Sequence, residues 1–237
     1  MKRWTALLLM LMMLMSMPAG MAEETAEIEW YPGWRFGNCF FYGERDENDN
    51  PCGFIVYEDN QGNTHYGVNL GSIGTLWDGV CIIIHRDGNE VDSITLHTYD
   101  MGFPYHAIHY YRNGNIVYDD YMDLEIQNRY HRQGETYTVQ EYYAPGDSWS
   151  EPEEIDPEEI NPKWGMGYAS ITLESDEQKL ENGLHVGTYL LTGVTDEGAT
   201  VEILRLEAGA DGSVEYTLDG ESWRYDHGTG RHRRVGW

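Results

Sequence analysis

The most regular run of apolar and polar positions lies at residues 80–99, VCIIIHRDGNEVDSITLHTY. Residues 80–84 are apolar at every position, which predicts a strand covered on both faces. Asp87-Gly88 then separates them from an alternating stretch. Asp-Gly between two such runs predicts a hairpin closed by a type I′ turn, because that turn needs φ > 0 at both central residues.

The same grammar recurs on either side. Residues 53–58 are expected to pair with 65–70 across 59–63, residues 105–111 with 116–121 across Asn113-Gly114, and residues 124–131 with 136–143 around Gln133-Gly134. Eight strands with short connections imply an antiparallel hairpin meander, hence an all-β fold, either a β-sandwich or a partly closed barrel.

At 144–163 the alternation stops. Four of the eight prolines fall there, and EPEEI, DPEEI, NPK places Pro152, Pro157 and Pro162 at equivalent positions. Each start resembles an N-cap followed by proline at the first helical position, and the next proline arrives too soon for more than one turn. An acidic, extended or stepwise-turned linker is expected. Beyond it, residues 168–173, 185–191, 200–206 and 213–218 read as strands again. The organisation expected is therefore a leader at 1–22, a β-sandwich or barrel at 23–143, the linker at 144–163, and a smaller β-module at 164–237. A piece of that size has little core of its own, so it either docks on the first domain or stands as a marginal module.

The leader changes the address. Lys2 and Arg3, an apolar run from Ala6, and small residues at Gly20 and Ala22 form a secretory signal with a cut expected after Ala22. The run is too short to span a bilayer, which needs about 20 apolar residues. An exported protein without membrane insertion is expected. No Asn-x-Ser/Thr sequon occurs, which points toward a bacterial source.

Charge narrows the partners. Without the leader, 13 Lys+Arg stand against 41 Asp+Glu, a formal charge of −28. That repels nucleic acid and anionic membranes and favours cations, cationic partners or neutral sugars, or else simply keeps the protein soluble. The chain ends WRYDHGTGRHRRVGW, with Arg224, Arg231, Arg233 and Arg234. This tail is expected either to attract the linker acids Glu151, Glu153, Glu154, Glu158 and Glu159 or to fray.

Of the three cysteines, Cys81 lies in the apolar strand and reads as a buried thiol, whereas Cys39 and Cys52 flank a polar loop. Export permits a disulfide, and Cys39–Cys52 is the expected bridge, with Cys39–Cys81 its rival.

Chemistry is sparse. Asp46, Asn48 and Asn50 alternate oxygen side chains as an EF-hand loop begins, but Pro51 stands where glycine is required and Tyr57 where a bidentate glutamate should be. A loose calcium site or a solvated hairpin tip remains, with no other cofactor expected. His97, His106, His109 and His131 cluster in sequence, yet His106 and His109 fall on opposite faces of a strand. Cys81 and His85 are about 13 Å apart along a strand, beyond hydrogen-bond reach. No nucleophile motif occurs, and with 41 acids a carboxylate pair somewhere is unremarkable. The aromatics Trp30, Trp34, Trp77, Tyr99, Tyr105 and Tyr110 are either core or platforms that stack on sugars or peptides.

The function expected is a secreted, non-catalytic binding or adhesion module that recognises a glycan or an extracellular protein. The alternatives are a carboxylate-dependent glycan hydrolase and a structural or partner-interaction protein with a loose calcium site. Nothing in the sequence speaks to oligomeric state.

Overall fold

A computed structural model describes residues 39–48, 50–70, 76–122, 125–143, 146–160 and 165–236. The leader and the candidate platforms Trp30 and Trp34 lie outside the described residues. The chain forms two antiparallel sheets. The first contains β1 (Phe40–Arg45), β2 (Pro51–Glu58), β3 (Thr64–Asn69), β4 (Trp77–Asp87), β5 (Glu90–Asp100), β6 (Phe103–Tyr111), β7 (Ile116–Met122), β8 (Glu125–Gln133), β9 (Thr136–Tyr143) and the two-residue β10 (Ser148–Trp149) and β11 (Glu153–Glu154). Its spatial order follows the sequence, with β10 and β11 both on β9. The second contains β12 (Tyr168–Ser175), β13 (Gln178–Lys179), β14 (His185–Thr195), β15 (Thr200–Ala208), β16 (Val214–Leu218), β17 (Glu221–Asp226) and β18 (Arg231–Arg234). All four predicted hairpins form, and the sheets pack as an open sandwich rather than a closed barrel.

One inter-sheet core holds them together. Phe54, Ile82, Ile84 and Ile94 of the first sheet share a buried cluster with Tyr189, Leu191, Leu204 and Tyr225 of the second. Each such aliphatic side chain contributes about 1.5–3 kcal/mol. On the opposite face of β4, Cys81 and Ile83 join Cys39, Phe41, Ile55 and Trp77 in a second buried cluster. The wholly apolar strand is thus covered on both faces, as its pattern requires.

The central turn differs from expectation. Asp87 pairs with Glu90, so the loop is Gly88-Asn89, and of the two only Gly88 has positive φ, at 63°. That is the signature of a type II′ turn, with glycine at the first central position, rather than I′.

The Cys39–Cys52 bridge is not formed; all three cysteines are free. The β1–β2 register explains why. Phe40 faces Glu58 and Arg45 faces Pro51, so Cys39 and Cys52 sit at opposite ends of the hairpin. The Tyr57 hydroxyl donates to Cys39 Sγ at 3.2 Å. Cys52 lies five residues back along that strand, about 17 Å at ~3.3 Å per residue, well beyond the Cα separation of about 4.4–6.8 Å that a disulfide spans. Cys39 and Cys81 share a cluster without bonding.

The acidic stretch and the basic end are also built into the sheets. Ser148 and Trp149 pair with Tyr143 and Tyr142, and Glu153 and Glu154 with Val139 and Thr138. Asp156 caps a single 3-10 turn at Pro157–Glu159, its carboxylate accepting from Glu158 N at 2.9 Å, the one-turn outcome that the proline spacing predicts. The arginines of the end neither fray nor reach the linker acids. Arg231, Arg233 and Arg234 lie on β18, paired with β17, where Arg234 Nη2 donates to Glu221 Oε1 at 2.5 Å; Arg224 lies on β17 itself, 4.0 Å from Glu215. Among the described residues, no helix is long and apolar enough to cross a membrane.

Candidate binding cleft

The last three strands define the candidate site. β16 and β17 are joined by Asp219-Gly220, with φ of 51° and 76°. Both central residues are left-handed, the type I′ geometry that Asp-Gly favours. The turn fixes the register: Val214 faces Tyr225, Tyr216 faces Trp223, and Leu218 faces Glu221. On the far side Tyr225 faces His232 and Trp223 faces Arg234. Because side chains alternate across a sheet, all of these project from the face that carries the core.

Along that face the character changes. At Val214 and Tyr225 it is sealed, each 1% exposed. Toward the Asp219-Gly220 turn it bears Trp223, Glu221 and Arg234, and the opposing strands supply Val68, Asp78 and Val80. Carboxylates cannot be buried without partners at acceptable cost. Here the sheets leave a cleft of about 530 Å³ lined by Asp78, Asp219 and Glu221 beside Tyr216, Trp223 and His232.

The aromatic side is a stack. The His232 ring lies 4.5 Å from Phe54, 5.2 Å from Trp223 and 5.9 Å from Tyr216, with interplanar angles of 24°, 22° and 17°. Burial lowers the His232 pKa despite the Glu44 charge, which favours a neutral imidazole. The Tyr216 hydroxyl is 3.2 Å from His232 Nε2, and burial raises its own pKa. Glu221 is held by Arg234, and Asp78 Oδ1 accepts from Met101 N at 3.1 Å. Asp219 is exposed at the tip. Its charge adds to burial in raising the pKa of Tyr110 and Tyr168. Those two tyrosines, with Thr98 and His106, line a second cavity of about 290 Å³ that shares Val80, Leu218 and Asp219 with the first. Flat rings beside hydrogen-bond acceptors are suited to stacking on a sugar face while its hydroxyls are read.

The predicted site residues are dispersed. Trp77 is 4% and Tyr110 2% exposed, so both are core rather than ligand platforms. The Trp77 ring lies over Gly67, where a Cβ would come within 3.0 Å of it. Tyr99 is half-buried, its hydroxyl 3.0 Å from His97 Nδ1. Tyr105 is 64% exposed, next to Phe103 and away from the cleft lining. The Asp46 carboxylate accepts from Asn48 N and Asn50 N, both at 2.9 Å, and from Asn50 Nδ2. The hydrogen bonds from Asn50 and Asn48 lower its pKa against a small burial effect. Those oxygens shape the loop from within. Among the described residues no group of three His, Cys, Asp or Glu side chains is arranged to hold a metal ion.

The histidines split between faces. His106 points into the sandwich, 3.1 Å from Thr98 Oγ1. His109 points outward in a row that crosses five strands: His85 Nε2 to Thr95 Oγ1 at 2.7 Å, Thr95 Oγ1 to His109 Nδ1 at 2.8 Å, and His109 Nε2 to Asp119 at 3.2 Å, with Arg129 donating to Asp119 at 2.6 Å. Thr95 is 1% exposed, so its hydroxyl is closed to a substrate and the row braces the sheet.

Sequence reasoning missed Trp223, Glu221 and Asp219. Their signal was Asp219-Gly220 followed by the alternating Glu221, Trp223, Tyr225, running into the basic end that begins at Trp223. The chain matches no protein-family model and no curated protein.

Proposed function

We propose that this is an exported, non-catalytic binding module whose ligand is a glycan held in the inter-sheet cleft. The observation that carries the reading is the stack of Trp223, Tyr216 and His232 beside Asp78, Asp219 and Glu221, on a face that is sealed core one rung away. Rigid rings give contact area at little entropic cost, and carboxylates accept hydrogen bonds from hydroxyls. Sequence charge fits an uncharged or cationic ligand. A glycan microarray on the mature protein tests the reading: at least one immobilised glycan is retained, and retention falls with Trp223→Ala while the melting temperature holds.

A hydrolase is the second reading, favoured by three carboxylates in one cleft. Turnover of a chromogenic glycoside, abolished by Asp219→Asn or Asp78→Asn, would replace the non-catalytic reading with it.

A further inference from the structure

Resting on the glycan reading, we infer that the ligand is an uncharged linear chain gripped along an internal segment, lying from Trp223 past Asp219 to His106 and Tyr168. The cavities of about 530 and 290 Å³ meet at Val80, Leu218 and Asp219, and neither is enclosed. Together they run between the inner faces of the first sheet, from Val68 to Tyr110, and of the second, from His232 to Tyr168. Each half has its own half-buried rings, Tyr216 and Trp223 in one and His106 and Tyr168 in the other. A site for a chain end needs a closed wall against the terminal ring; a site for a chain interior needs an open trough with more than one stacking position. This cleft has the second form.

Charge selects within linear glycans. Asp78, Asp219 and Glu221 line the trough, and among the described residues only Glu221 is paired with a cation, Arg234. A uronate, sulfate or sialate placed here meets unpaired like charge, which opposes binding. A neutral chain offers hydroxyls to the same carboxylates.

Calorimetry with neutral cello-, xylo-, malto- and β-1,3-gluco-oligosaccharides of two to six units, with polygalacturonate as the anionic probe, tests the inference. For the series that binds, affinity is expected to rise at least about tenfold from disaccharide to hexasaccharide, a step of ~1.4 kcal/mol. Borohydride reduction of the hexasaccharide end should leave it unchanged. Leu218→Trp, which plugs the junction, should abolish the gain in affinity from disaccharide to hexasaccharide. Affinity already maximal at the disaccharide, loss on end reduction, or equal binding of polygalacturonate overturns the inference and leaves the glycan reading standing. Absence of binding to every probe by folded protein overturns both.

Discussion

Arg86 and Glu177, 91 positions apart, meet in a bidentate ion pair between the two sheets: Arg86 Nε donates to Glu177 Oε1 at 2.8 Å and Nη2 to Oε2 at 2.5 Å. Their side chains are 3% and 8% exposed. The remaining groups are also occupied. Arg86 Nη1 donates to Gly62 O and Thr64 Oγ1, and Glu177 takes hydrogen bonds from Tyr189 OH and from His185 Nδ1. This cluster lies beside the inter-sheet core and fixes how the second sheet sits on the first.

Breaking one side of a buried pair leaves an uncompensated charge, which costs about 3–5 kcal/mol. Glu177→Ala should therefore lower the unfolding free energy measured by urea titration by that amount, and Arg86→Met with Glu177→Leu should recover much of it. A Glu177→Ala loss below about 1 kcal/mol would show that the pair is not buried as described.

Glu177 also makes the fold acid-labile. Burial pushes its pKa up, but the hydrogen bonds from His185, Arg86 and Tyr189 outweigh it and bring the carboxyl down to about 2. In the unfolded chain a glutamate titrates near 4.3. Its contribution to stability is complete above that value and is lost as pH falls toward 2.

The histidines act at milder pH. Burial, helped by the neighbouring His109, lowers His85 and His97 to about 4. Burial likewise lowers His106, His131, His227 and His232. Unfolded histidine titrates near 6.5, so below that pH the unfolded chain binds more protons and stability falls, by up to about 1.4 kcal/mol per pH unit per proton. Urea midpoints should drop between pH 7.5 and pH 5, and His97→Gln should flatten the slope. Equal slopes for His97→Gln and the parent would contradict the burial of this ring.

Three thiols per chain should react with Ellman's reagent in guanidinium without reductant, since all three cysteines are free. One thiol would mean that a disulfide has formed. In the folded protein Cys81 should be inert, because burial raises its pKa far above the ordinary thiol range.

Gly67→Ala should be destabilising, by about 1–3 kcal/mol, because the added methyl meets the Trp77 ring at 3.0 Å. Trp77→Leu in the Gly67→Ala background should relieve part of the loss. A neutral Gly67→Ala would indicate that the indole does not lie over this glycine.

These contacts explain what was legible in the sequence. The strands of the four hairpins and their order were readable because Asp-Gly, Asn-Gly and Gln-Gly turns fall between alternating runs, and such signals are local, whereas β1, β17 and β18 were not read as strands. Burial of a particular ring was not. Trp77 was open between core and platform; its fate is set by Gly67 on the neighbouring strand, and that of Tyr110 by the segment entering the second sheet, where its hydroxyl donates to Gly165 O at 3.4 Å. The cleft was hidden for a similar reason. Glu221, Trp223 and Arg234 alternate as any strand would, and only their placement opposite Asp78 opens a site. Four nearby arginines drew attention to charge instead of to the Asp219-Gly220 turn.

Glycan binding in the Trp223 cleft is tested most directly by parallel microarray binding of the parent protein and Trp223→Ala, each checked for an unchanged melting temperature. The expected result is selective retention of at least one uncharged glycan by the parent and a loss of about tenfold in Trp223→Ala, at the upper end of the ~0.5–1.5 kcal/mol scale of a stacking contact. Equal retention by both proteins, or none by the folded parent, would contradict it.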